Sequence, residues 1–399
     1  MIFSKKCISM FLILFFLFST IAISESKTNI INNEQTNIIL YVGGNGNNNF
    51  SFIQDAIDSS SENFIIYVYN GTYHENLIIN KSITLLAKNK QKVIIDGRRK
   101  SDVITINSEK VKIDGFTIIN ATKTGVSNFF CAGIRITKSN NIISNNTIIG
   151  NNVGIFIRRS KNEIIKDNVF SNNGIIISPY DIDESDIEIK KDFFEHTIEN
   201  NKINGREIIY LKNQKNMVIP KNVGQLITFN CSNLIIDNIS FTRCDYSLIL
   251  AYTNNCLINK SYFIDDSDIW LMKSNNNIFK KNIMSKNLHG ITIDYNSNNN
   301  IFNNNNFSNN EIMGIMIEDN SNNNIFEENN IFQNTKGAYI VNSYKNKWKH
   351  NYWDNWLGLK YKFLRFFPMI ISGSIYGRQF YIPTLLNFDW SPSTIPIKT

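Results

Sequence analysis

Three observations predict an all-β parallel solenoid. The first is a motif, Gly-Ile-x-Ile-x-x-Ser-x-Asn-Asn-x-Ile-x-x-Asn-x-Ile/Phe, with copies opening at Gly133, Gly154, Asp268, Gly290 and Gly314 and a degenerate one at Gly337. Within each run the openings fall roughly 20 to 24 residues apart, the range in which self-similarity signals stacked repeats. The second is period-two alternation inside each copy, as at Ile291/Ile293 and Ile315/Ile317, which puts those side chains on one face of a strand. The third is that Asn, roughly one residue in six, is phased with Ile and Phe. Phased Asn, with Ser and Gly, reads as turns between strands rather than as a disordered or prion-like tract. Short strands joined by sharp turns make one coil, and equivalent residues of the next coil stack about 4.8 Å away. Ile, Val, Leu and Phe then form inner ladders, and Asn at the turns can hydrogen-bond along the stack. A leucine-rich repeat would need fixed Leu positions and a helical stretch per repeat, and both are missing.

Residues 1–24 read as a secretory signal, with Lys5 and Lys6 before an apolar run from Cys7 to Ile23 and small residues at Ala22 and Ser24. An uncleaved anchor is the alternative, although the run is shorter than the about 20 residues a span needs. No later segment reads as a membrane span. Residues 25–62 give a first strand, "IILYVGG", and a capping helix over Ser51–Ser60. Ser51 and Gln54 form a capping box there, and Phe52, Ile53, Ala56 and Ile57 form the apolar face. A solenoid must cover the open end of its core, so this is the N-terminal cap. The β-helix proper spans 63–346. An inserted loop at about 178–203 carries the densest acidic run of the chain, Asp181, Asp183, Glu184, Asp186 and Glu188. Such insertions leave one face of a solenoid, often the working face. Residues 347–399 hold every Trp except Trp270 and read as a C-terminal cap laying aromatics over the last coil, or as a sugar-binding patch.

Cleavage of the leader would lower the formal charge from +7 to +5. That is mild for this length and argues against nucleic-acid partners. Cys131, Cys231, Cys244 and Cys256 include no Cys-x-x-Cys pair, so a zinc site is not expected. Cys256 aligns with Leu234 as a core filler, and a disulfide through Cys231 or Cys244 would suit an oxidising compartment. Glycosylation sequons stand at Asn49, Asn70, Asn80, Asn120, Asn145, Asn230, Asn238, Asn259 and Asn306.

The stretch "SFIQDAID…IIYVYNGTYHENLIINKSITLLA", followed by "VIIDG", "DVITI" and "VKIDGFTII", resembles the opening of NosD-type right-handed parallel β-helix proteins. These belong to the wider carbohydrate-binding and sugar-hydrolase β-helix group. "HTIENNKINGREIIYLKNQKNMVIPKNVGQLITFNCSNLIIDNIS" and the "NYWDNW…NFDW" ending are similar to its archaeal cell-surface branch. The resemblance covers nearly the whole mature chain. It implies a right-handed parallel β-helix of about ten to twelve coils, secreted or on the cell surface. A polysaccharide or cell-envelope glycan is the implied partner. The copper-delivery role of the family's namesakes needs His, Cys or Met ligands, and His74, His196, His289 and His350 are scattered.

The candidate catalytic residues are Asp294, Glu318, Asp265, Asp266, Asp268 and His289. Aligning Gly290 with Gly314 sets Asp294 beside Glu318 on the outer face, one coil apart. Two such carboxylates either raise one pKa or hold a cation, so they are also a possible calcium site, though no cofactor is required. Asp265-Asp266 before His289-Gly290 faintly resembles polygalacturonases. The basic Arg-x-Lys expected one coil later is replaced by "IMIEDN". Trp270, Thr292, Met316 and Tyr339 fall at equivalent outward positions, which makes an exposed strip with Trp270 and Tyr339 as glycan-binding aromatics. The sequence therefore favours a non-catalytic surface protein for glycan binding, adhesion or envelope structure. A lyase or hydrolase acting on acidic polysaccharides is the alternative, and a copper-delivery accessory the second.

Overall fold

The computed structural model describes residues 38–121, 131–179, 190–377 and 380–398. The expected signal at 1–24 and the acidic run Asp181–Glu188 lie outside the described residues. The compact unit that begins at Ile38 is a parallel β-solenoid of about 13 turns. Equivalent residues stack in register: Ile143 lies between Ile113 and Ile165, and Phe302 between Phe279 and Phe326. The rings of Phe279, Phe302, Phe326 and Trp348 stack with centroids 4.9, 4.7 and 4.1 Å apart. Trp348 thus belongs to the inner ladder, and the stack continues through the strand Tyr352–Trp353. Trp353 and Trp356 are buried and close the core. The cap expected from Lys347 onward starts later, because the first aromatics of the tail are ladder residues.

The Asn-Asn dipeptides build the corners, and their two members do different work. The first takes the left-handed conformation, as at Asn299 (φ 58°), Asn304 (φ 57°) and Asn309 (φ 55°), which Asn tolerates better than other non-Gly residues. The second is a fully enclosed rung. In one ladder the rungs are Ser261, Asn282, Asn305, Asn329 and Asn351; the Ser261 hydroxyl accepts the N–H of Ile239, and each Asn side-chain oxygen accepts the backbone N–H of the rung before it. Asp389 ends this ladder, accepting from Asn351 N and Nδ2 and from Trp353 Nε1 at 3.0–3.2 Å. A last rung needs only to accept, which a carboxylate does at both oxygens. Cys131, Cys231, Cys244 and Cys256 are buried free thiols, and Cys256 begins a second ladder through Asn277, Asn300, Asn324 and Asn346. The Gly that opens a repeat is fixed by close approach: a Cβ on Gly290 would sit 2.5 Å from the carbonyl oxygen of Gly314.

The expected N-terminal helix forms at Ile53–Ser59, with Ile53, Ala56 and Ile57 buried, but its cap differs. Phe52 is the N-cap residue and is exposed, and no side chain of the predicted capping box bonds the helix start. The Glu75 carboxylate instead accepts the N–H groups of Ile53 and Gln54, both at 2.9 Å. An acid from the next coil satisfies two free donors and faces the positive helix end. Glu75→Ala should therefore cost about 1 kcal/mol in urea melts, and Ser51→Ala less than about 0.3.

The stretch 178–203 is not wholly an inserted loop. Residues 190–203 return to the stack: Thr197–Glu199 pairs with Ile164–Lys166, and Lys202–Ile203 with Val169–Phe170. The chain then reverses at Gly205 into an antiparallel pairing with Arg206–Lys212 and starts a second stack from Val223–Phe229. Two apolar cores result. Alternate residues of the same strands belong to different cores. Leu226, Leu248, Leu250, Ile269 and Leu271 fill the second stack. Ile227, Phe229, Ile249, Ala251, Trp270 and Met272 join the core of the first. The last turn of the first stack thus abuts the outer face of the second. Phe194 stacks on Phe229 (5.5 Å), and the Gln225 amide bonds both Ile175 N and Ile175 O.

Candidate functional site

The register read from the repeats holds: Trp270, Thr292, Met316 and Tyr339 lie side by side on successive strands. Their exposure does not follow the expectation. Trp270 is only 7% exposed, because the junction between the two stacks covers it, and its ring lies 5.2 Å from that of Tyr246. Thr292 is buried too, while Met316 and Tyr339, farther from the junction, are half-buried. The Lys336 ammonium lies 3.5 Å from the Tyr339 ring centroid. The strip is open only at its distal end.

The six candidate catalytic residues fall into two groups. Asp265 and Asp266 are corner residues in the left-handed conformation, φ 59° and 55°. Asp268 opens the next strand. Its Oδ2 accepts the backbone N–H of His289 at 3.0 Å and lies 3.6 Å from His289 Nδ1, while Oδ1 is buried without a hydrogen-bond partner. Burial raises the Asp268 carboxyl, against the lowering pull of His289. Asp294 and Glu318 lie at the far end of the same strands, each directly after the paired residues Ile293 and Ile317. His289–Asp294 is a six-residue strand, so the groups stand about 16 Å apart. Carboxylates acting on one glycosidic bond stand about 5 to 9.5 Å apart, so the two groups do not form one centre.

Asp294 is 2% exposed; its Oδ1 accepts Tyr295 N–H at 2.8 Å and its Oδ2 the Trp270 Nε1–H at 3.4 Å. Burial first, and the charge of Asp319 second, hold this carboxyl well above the carboxylate range. Burial, then Asp294 and Asp319, push the half-buried Glu318 up to about 8. Together they retain a proton at neutral pH and can donate it. Calcium needs about six to eight oxygen ligands, and among the described residues no group of three or more His, Cys, Asp or Glu is placed to hold a metal ion. The four His stand apart: His74 against Asp96, His196 in a turn ladder, His289 beside Asp268 and His350 at a corner. Of the sequons, Asn70, Asn80, Asn230 and Asn238 are exposed. The amides of Asn120, Asn145 and Asn259 are engaged by Asp96, Asp114 and Asp237.

A further buried set was not anticipated. In the turn ladder that begins at Asn141, Glu163 and His196 replace asparagine: Asn141 N–H donates to Glu163 Oε2, and Glu163 N–H to His196 Nδ1. The signal was in the repeats, since "NIISNN" from Asn141 aligns with "EIIKDN" from Glu163.

Residues 180–355 match a family model described as a right-handed beta helix region, which fixes the hand of the solenoid. A cell surface glycoprotein of Methanothermus fervidus is 38% identical over 108 residues, 27% of this chain and 18% of that protein. The chain therefore spans less than a fifth of that relative. Solved structures similar to the chain include the periplasmic alginate epimerase AlgG (14% identity, TM-score 0.31, 86% of this chain and 76% of that one). Another is the GH136 lacto-N-biosidase from Eubacterium ramulus (12%, TM-score 0.33, 79% and 64%). Scores this low carry no chemistry from those enzymes to this chain.

Proposed function

We propose that this chain is a cell-surface β-helix repeat protein that serves as a scaffold and glycan-contacting module, not a polysaccharide-cutting enzyme. One observation carries the reading: two of the candidate acids, Asp268 and Asp294, are shut in. Asp268 is 4% exposed, and Asp294 is closed over by Trp270 and the junction. A polymer chain cannot lie against carboxylates enclosed in this way. The similarity to a cell surface glycoprotein supports the location, and the open end of the strip, Met316 and Tyr339, is the surface left for a sugar face. Among the described residues no helix is long and apolar enough to cross a membrane.

A second reading has one observation in its favour. Glu318, half-buried and holding its proton up to about pH 8 beside Asp294, has the character of a general acid. One experiment separates the two. The protein is incubated with acidic and neutral polysaccharides, with and without calcium, and new reducing ends, unsaturated products and retained protein are measured. Retention without product is expected, falling several-fold in Tyr339→Ala. Product that disappears in Asp294→Asn/Glu318→Gln would establish the enzyme instead.

A further inference from the structure

The most exposed apolar surface lies at the C-terminal end, away from the strip. Phe363, Phe366 and Trp390 are 73%, 74% and 72% exposed, and Leu357, Phe367 and Ile370 are exposed beside them in the chain. This surface is held in place. The segment turns through the short helix Leu357–Lys360 and the turn Lys362–Leu364, and the buried Trp356 donates its Nε1–H to Phe367 O at 3.1 Å. Ile370 pairs across the closing hairpin with Phe388, whose ring lies 5.3 Å from that of Trp390. Exposed aromatics that fill no core and are still pinned at their base form a surface for something else.

The charges choose the occupant. Lys360, Lys362 and Arg365 stand exposed among the aromatic rings, and no Asp or Glu occurs between Asp354 and Asp389. Protein interface cores are depleted in Lys, and no carboxylate is present here to accept hydrogen bonds from sugar hydroxyls. Phe, Trp and Leu mixed with Lys and Arg is the composition of segments that lie in the headgroup layer of a bilayer. Cations near the surface are drawn to anionic lipids. We infer that the C-terminal cap docks peripherally on an anionic lipid membrane, with Phe363 and Phe366 inserted at the acyl boundary and Lys360, Lys362 and Arg365 on the lipid phosphates. This is a contact lying on the bilayer, independent of the glycan reading above.

The test is co-sedimentation of the whole chain with vesicles of equimolar phosphatidylcholine and phosphatidylglycerol, or of phosphatidylcholine alone. Partitioning onto the anionic vesicles is expected to fall at least about tenfold in Phe363→Ser/Phe366→Ser. A comparable loss is expected in Lys360→Gln/Lys362→Gln/Arg365→Gln and on the neutral vesicles. Because these side chains are exposed, melting temperature should not move, which separates lost docking from lost folding. Equal partitioning of wild type and both variants would overturn the inference. So would concentration-dependent self-association without lipid that the Phe variant abolishes, which would make the face a protein interface.

Discussion

Replacing Asn305 by Leu is expected to destabilise the solenoid by about 4 kcal/mol in urea melts. The Asn305 side chain accepts from Asn282 N and Nδ2 at 2.9 and 3.0 Å, and donates to Phe279 O and Asn329 Oδ1 at 2.9 and 3.0 Å. The site is fully enclosed, so water cannot replace those partners. Leu keeps the branched outline but has bulkier methyl ends, so overpacking adds to the polar loss: two donors of Asn282 and the carbonyl of Phe279 lose this partner in the core. Each unsatisfied buried group costs about 1–3 kcal/mol. The neighbouring Asn304 provides the contrast. Its value is its left-handed backbone, φ 57°, which Gly adopts without strain. Asn304→Gly should change stability by less than about 1 kcal/mol, while Asn305→Gly should cost nearly as much as the Leu substitution. Equal costs at the two positions would mean that the rungs do not hold the stack.

The same distinction explains what the sequence revealed and what it hid. Strand phase, coil register and the turn role of Asn follow from local spacing, and Trp270, Thr292, Met316 and Tyr339 align as the repeats indicate. Exposure of that strip depends on a contact between distant parts of the chain. A trace of it was nevertheless present. Leu248-Ile249-Leu250-Ala251 and Ile269-Trp270-Leu271-Met272 are continuous apolar runs, whereas Ile291-Thr292-Ile293-Asp294 alternates. Parallel strands buried on both faces read as continuous runs, and these runs mark the strands between the two cores. The separation of the acids into two groups was also countable, since Asp268 aligns near His289 and Asp294 lies five residues beyond it. The capping acid Glu75 had no local signal, because it acts from the following coil.

Glu163→Gln is expected to stabilise the protein by on the order of 3 kcal/mol at pH 8 and to leave it nearly unchanged at pH 4. Burial pushes the Glu163 carboxyl from 4.5 up to about 8, and its Oε1 is buried without a hydrogen-bond partner. Below pH 4.5 the group is neutral in both states and carries no penalty. From 4.5 to 8 the unfolded chain gives up a proton that the native state keeps, so stability falls as pH rises. His196 has the opposite sign. Burial lowers it from 6.5 to about 4, with Nε2–H donating to Phe193 O and Nδ1 accepting from Glu163 N–H. The unfolded chain binds the extra proton between pH 4 and 6.5, so stability rises with pH there. In the wild type the two slopes largely cancel between about 4.5 and 6.5, and only the downward glutamate slope survives from 6.5 to 8. Removing the glutamate should remove its share of the decline: relative to its parent, Glu163→Gln gains stability progressively from pH 4.5 to 8, on top of downward slopes from the raised carboxyls of Asp268 and Asp294 that both proteins share. Half-buried Glu318, also held up to about 8, adds a downward slope of its own, so Glu163→Gln is measured in wild-type and Glu318→Gln backgrounds. Parallel pH profiles for Glu163→Gln and its parent in both backgrounds would mean that Glu163 is already ionised in the fold, and that the ladder tolerates a charge where the other rungs are neutral.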